Sequence, residues 1–136
     1  MNARPCVAED DAAIRSLIGL AAHLGDEGEP GDYRRVYASD ATWRLGDTRQ
    51  TGIEEIVAAT AARRAGGVGG PGSGTRHFVV PLHIEVTGDS ARAVSYFQFI
   101  TGTTTAPSIA AVGGYRDELV RTGQGWRIRS REITSG

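Results

Sequence analysis

Few side chains in this sequence can do chemistry, and His77 is the first to weigh. It follows Arg76 at the head of an apolar run, RHFVVPLHIEV, directly after the glycine-rich stretch GGVGGPGSG at 66–74. An imidazole changes charge near neutral pH, so at the rim of a curved apolar sheet it can serve as a proton-transfer group in a dry pocket. The other histidines read differently. His23 falls late in a helical stretch, where a positive charge is welcome and a capping role outweighs a catalytic one, and His83 is expected to face water. Three separated histidines without an acidic cluster at ligand spacing argue against a metal site. The lone cysteine, Cys6, can form neither an intrachain disulfide nor a cysteine-based zinc site.

The glycine stretch could be mistaken for a phosphate-binding loop. No Gly-Lys-Ser/Thr follows it and a strand comes next, so that reading fails. Two readings stay open: a linker that holds no single conformation, or a lid over a pocket mouth.

Two long strands must position His77. Residues 76–87 and 90–102 are predicted to fold back on each other through Gly88-Asp89, and strands at about 108–121 and 125–134 continue the meander. Plain alternation along the first of these mixes charge with apolar residues. Pro81 lacks a donor and belongs at an edge or a bulge. One extra residue there turns His77, Val79, Leu82, Ile84 and Val86 inward and leaves His83 and Glu85 in water. On the last strand Trp126, Ile128 and Ser130 alternate with Arg127, Arg129 and Arg131, which read as a solvated outer row.

Ahead of the meander, residues 1–8 read as a loose arm. A helix from Glu9 carries the apolar face Ile14, Leu17, Ile18, Ala21 and Ala22 and stops at Gly25, with Asp26 just beyond it. Asp32 is expected to cap a short helix, Tyr33–Ala38. Ala41–Leu45 reads as a short strand, and Ile53, Ile56 and Val57 mark a third helix. Three helices followed by a long antiparallel meander is an α+β pattern, and a sheet of that size must curl and leave a hollow against the helices.

At 136 residues, with 40% hydrophobic and 23% charged, the chain suits one domain spanning 1–136. A net charge of -1 leaves no footprint for nucleic acid or acidic lipid. The start MNARPCVAED shows no signal peptide, and no run of about 18 apolar residues suggests a membrane span, so a cytoplasmic protein is expected.

The runs AIRSLI, ASDATW, TGIEEIVA, RHFVVPLHIEV, ARAVSYF and YRDELVRTGQGWRI, with Asp26 after the first helix, resemble SnoaL-like domains of the nuclear transport factor 2-like superfamily. The resemblance covers about residues 9–134. It implies a cone: a curved, mixed or antiparallel sheet wrapped around a long N-terminal helix, with two further helices and a homodimer formed through the sheet. Relatives include polyketide cyclases, scytalone dehydratase, steroid isomerases and the small subunits of ring-hydroxylating dioxygenases.

The dehydratase-like members pair an aspartate after the first helix with a histidine opening the long strand, and those positions hold Asp26 and His77. Their second histidine falls on Phe97, the tyrosine before the aspartate on Gly25, a further tyrosine near Leu45 and a strand asparagine near Tyr115. The basic aspartate of the steroid isomerases has no counterpart, and Arg44 lies in that region. The resemblance thus implies a cofactor-free lyase, isomerase or cyclase acting on a hydrophobic carbonyl compound. His77 would exchange the proton, Asp26 would orient it, and Tyr115 would offer a hydroxyl. The other reading of Asp26 and His77 is a structural pair tying helix to sheet. Trp43, Phe97, Phe99 and Trp126 read most simply as core, with any of them able to line the pocket, and Val79 is a further candidate to line it. Asp117 is either a second acid in the cavity or a salt-bridge partner for Arg76 or Arg121. A non-catalytic binding or dimerisation module, or a dioxygenase-like subunit, is the alternative.

Overall fold

The computed structural model describes residues 6–136. Of the expected arm, 1–5 lie outside the described residues, and Val7 and Ala8 already belong to the first helix, α1 (Val7–Glu27). Asp10 N–H reaches back to the carbonyl of extended Cys6 at 3.0 Å, so the first turn forms one residue pair earlier than the acidic run alone suggested. A 3-10 turn (Pro30–Arg35), strands β1 (Tyr37–Leu45) and β2 (Thr48–Thr51), and helix α2 (Ile53–Ala65) follow. The meander is β3 (Arg76–Thr87), β4 (Ser90–Thr101), β5 (Ser108–Thr122) and β6 (Gly125–Ser135).

These form one six-stranded sheet in the order β2-β1-β6-β5-β4-β3. All neighbours are antiparallel except β1 and β6, which makes the sheet mixed. α1 lies in its concave face. Ile14, Leu17, Ile18, Ala21 and Leu24 are buried against Ala91, Ala93, Leu119, Trp126 and Ile128, with Val36, Ile53 and Ile56 closing the side. Each such isoleucine or leucine contributes about 1.5–3 kcal/mol of transfer free energy, so this stripe is what holds helix to sheet.

Three bulges within the meander roll the sheet, and the β1–β6 pairing also shifts register between Tyr37 and Thr42. Leu82 is the extra residue between Pro81↔Ser95 and His83↔Val94, Ala110 between Ile100↔Ile109 and Phe99↔Ala111, and Arg129 between Leu119↔Ile128 and Glu118↔Ser130. Each bends its strand and adds twist. The bulge at Pro81 is where the sequence placed it, but its phase differs: Pro81 turns inward and Leu82 is exposed, because Leu82 itself is the extra residue.

Other boundaries moved for local reasons. α1 passes through Gly25 and ends at Glu27, where Gly28 N–H caps the Leu24 carbonyl at 2.9 Å. Gly25 serves space, since a Cβ there would stand 2.8 Å from the Tyr33 hydroxyl. Asp26 therefore sits inside the last helical turn. Pro30 opens the 3-10 turn, and Asp32 accepts the Glu29 N–H from within it (2.9 Å), so Tyr33–Ala38 is not a helix of its own. β1 starts at Tyr37, four residues before the predicted strand. β2 went unpredicted because TRQT is an edge strand with no apolar alternation to read.

Candidate active site

The carboxylate of Asp26 holds the mouth of the sheet to the helix. Its Oδ2 accepts the backbone N–H of His77 at 3.0 Å, and its Oδ1 accepts the ring Nδ1–H at 2.7 Å. Asp26 is 5% exposed, whereas the His77 side chain keeps 29%. A carboxylate only accepts, so this contact assigns a hydrogen to Nδ1 and leaves Nε2 as the ring nitrogen not engaged by Asp26. The ring lies against Phe99, centroids 4.8 Å apart. Next door, Arg76 pairs with Glu27, clamping the same helix end to the same strand.

His77 opens onto a cavity of about 310 Å³, within the range of small-molecule sites. Its walls come from the C-terminal half of α1 (Ala21, Ala22, Gly25), from α2 (Thr60, Arg63, Arg64) and from the hollow half of the sheet. Trp43, Phe97, Phe99 and Tyr115, all named from sequence, line it. Val79 does not: it packs on the core. Val68, Gly69 and Gly70 of the glycine-rich loop border the same cavity, and a Cβ on Gly70 would press 2.8 Å onto the Arg64 side chain. Arg64 in turn donates to the carbonyls of Leu24, Gly25 and Gly28, so the loop, α2 and the end of α1 meet at one guanidinium.

Asp117 is 2% exposed and is no second acid in the cavity. It accepts Arg131 Nε at 2.8 Å and Nη2 at 2.9 Å. Neither expected partner reaches it: Arg76 is taken by Glu27, and Arg121 is held by Asp10 (2.8 Å) and Asp89 (3.0 Å). The outer arginine row also needs correction. The extra residue Arg129 reverses the alternation, so Arg127 and Arg129 keep an outward phase while Arg131 turns inward and is 6% exposed. Its guanidinium lies 4.0 Å over the Tyr115 ring, and Tyr115 stacks on Phe97 with centroids 4.7 Å apart.

Arg131, Tyr33 and Tyr37 are cavity residues that sequence reading missed. Nothing in the strand pattern marks a bulge at Arg129, and the two tyrosines stand where a short helix was expected. Burial raises the phenol pKa of Tyr33, Tyr37 and Tyr115, partly offset by the charge of Arg131. All three are therefore neutral hydroxyls at physiological pH, able to donate. Ser95 Oγ is the one occluded side-chain polar atom without a partner among the described residues. The phenol hydroxyls, which have no partner among the described residues either, are not fully occluded, and all three tyrosines line the cavity.

His23 and His83 are exposed and do not line the cavity. Among the described residues, no group of three His, Cys, Asp or Glu side chains could hold a metal ion, and no helix is long and apolar enough to cross a membrane.

The same architecture recurs in solved structures. Aln2 from a Streptomyces species superposes with a TM-score of 0.78 at 25% identity, over 98% of this chain and 94% of that one. A nuclear transport factor 2-like protein with a cystatin-like fold from Novosphingobium aromaticivorans gives 0.78 at 25% identity, over 95% and 83%. A protein of unknown function with a cystatin-like fold from Nostoc punctiforme gives 0.84 at 19% identity, over 98% and 96%. No curated protein matches the chain in sequence. The profile of the SnoaL-like domain matches residues 7–132, and with the cone, its helix and its mixed sheet in place, the chain belongs to the SnoaL-like family of the nuclear transport factor 2-like superfamily.

Proposed function

We propose that this protein is a cofactor-free proton-transfer enzyme acting on a hydrophobic carbonyl compound. The observation that carries the reading is the buried Asp26 carboxylate on Nδ1 of a histidine whose other face borders an aromatic cavity. Nε2 takes a proton from the carbon beside the carbonyl, and the bonding pair moves onto the carbonyl oxygen as an enolate. Asp26 stabilises the imidazolium formed. The neutral hydroxyl of Tyr115 donates to the enolate oxygen. Return of the proton to another carbon gives isomerisation, and its delivery to a departing hydroxyl gives dehydration. Attack of the enolate carbon on a second carbonyl, with the proton passing to the new alkoxide, gives ring closure. Trp43, Phe97 and Phe99 supply flat apolar walls for a polycyclic, polyketide- or steroid-like body.

The test is an NMR titration of the His77 ring with and without an aromatic ketone, in wild type and in Asp26→Asn. The expected result is a titration displaced by both the substitution and the ligand. A His77→Ala variant that loses thermal stability but binds the ketone unchanged would show a purely structural pair.

A second reading, a binding or assembly module, is favoured by one feature. The outer face of β3, β4 and β5 exposes Phe78, Val80, Leu82, Val94, Tyr96 and Val112 in adjoining registers. We assign that face to a second copy of this chain, since an apolar area of this kind rimmed by charge is characteristic of association surfaces. A sedimentation experiment comparing wild type with Tyr96→Asp checks it, dissociation to monomer being the expected result.

A further inference from the structure

The proton-transfer scheme leaves Arg131 without a task, although it is the most deeply buried cation of the cavity wall. Asp117 occupies only one edge of its guanidinium, through Nε and Nη2. Nη1 has no partner among the described residues and is not among the occluded polar atoms, and Arg131 lines the cavity. The plane of the group is fixed by Tyr115 beneath it and by the Asp117 fork, which leaves Nη1 aimed rather than swinging. The surrounding groups favour negative charge. Arg63, over the Trp43 ring at 5.2 Å, and Arg64 also line the cavity, so three guanidinium groups face two carboxylates, Asp26 and Asp117, both turned away behind their partners.

We propose that Arg131 is an anion-recognition residue, and that the ligand of this cavity is a planar aromatic compound bearing an oxyanion, either a carboxylate or an ionised enol or phenol. The Arg131–Tyr115–Phe97 stack forms a continuous flat wall along which such a ring system lies with its charged oxygen at Nη1. The phenol hydroxyls of Tyr33 and Tyr37 supply further donors. This rests on the cavity being a ligand site and not on proton transfer by His77.

The experiment compares binding of 2-naphthoate and its neutral isostere 2-naphthamide by calorimetry near neutral pH. In wild type the carboxylate is expected to bind about tenfold more tightly. The preference is read from binding alone, with no turnover, so a failure of the proton-transfer scheme stays separate from a failure here. Arg131→Met alone strands the Asp117 charge, so the informative variant is Arg131→Met with Asp117→Leu, which removes both charges. It should bind both probes within about threefold of each other. Equal affinities in wild type, binding of neither probe, or a preference surviving in the double variant would each overturn the proposal. Should the double variant not fold, absorbance titration of 2-naphthol bound to wild type decides. A naphthol pKa lowered on binding supports the assignment, and one unchanged or raised refutes it.

Discussion

The same four strands of the meander build two unlike halves. Toward one end, Ala91, Ala93, Leu119, Trp126 and Ile128 close on the apolar face of α1, and the buried Asp10 carboxylate accepts the Trp126 indole N–H at its margin. Toward the other, the same strands carry His77, Phe97, Tyr115 and Arg131 around a hollow. Bulges at Leu82 and Arg129 fall between the halves on β3 and β6. They change the strand phase where packing stops, so polar groups can face inward only beyond them. A rolled sheet thereby keeps its stability at one end and its chemistry at the other.

Breaking the ion pair of the hollow half should have the largest effect. Asp117→Ala leaves Arg131 charged, buried and unpaired, and is expected to cost about 3–5 kcal/mol in denaturant unfolding. Truncating the packed half should come next. Ile128→Ala, at a side chain with no exposure, is expected to cost about 2–5 kcal/mol while leaving ligand affinity unchanged, a pattern that Trp43→Ala should reverse. Gly113→Ala tests the contact between halves and wall. Its Cβ would stand 2.1 Å from the Thr134 carbonyl and 2.6 Å from the Phe97 ring, so β5 must shift and the aromatic wall with it. A loss of about 1–3 kcal/mol is expected, with weakened binding.

The smallest effect is the most specific, because the halves respond to opposite ends of the pH scale. At the packed end, hydrogen bonds from Arg121, outweighing burial and joined by one from Trp126, lower the Asp10 pKa. The folded value is below the unfolded one, so this stability is present above about pH 4 and is lost as pH falls through the folded value. At the hollow end, burial raises the Tyr33, Tyr37 and Tyr115 phenols. A raised phenol pKa means that the folded state holds its protons more tightly than the unfolded chain. Unfolding therefore becomes easier as pH rises past about 10, where the unfolded phenols ionise first. Melting curves across pH should show Asp10→Asn flattening the acid limb alone and Tyr37→Phe the alkaline limb alone.

Periodicity was enough to outline the first helix and the meander. The apolar face from Ile14 to Ala22 reads as a helix, and the four meander strands match to within a residue or so, since each half-buried strand repeats a local pattern set by its own pleat. His77 and Asp26 were recognisable through the resemblance of the whole chain, and they do meet. Trp43, Phe97, Phe99 and Tyr115 could be named as inward residues, but whether an inward residue meets protein or a hollow depends on how far α1 reaches along the sheet.

Tertiary structure alone decided the rest. An extra residue at Arg129 carries no mark in sequence, yet it reverses every side chain after it and makes Arg131 a buried partner of Asp117 instead of a solvated charge. Tyr33 comes to stand over Gly25 because a 3-10 turn over Pro30–Arg35, not a short helix over Tyr33–Ala38, folds there. Local pattern determines which faces are apolar. Register and the approach of distant elements determine which polar group shares a cavity with which, because those depend on contacts that no short stretch contains.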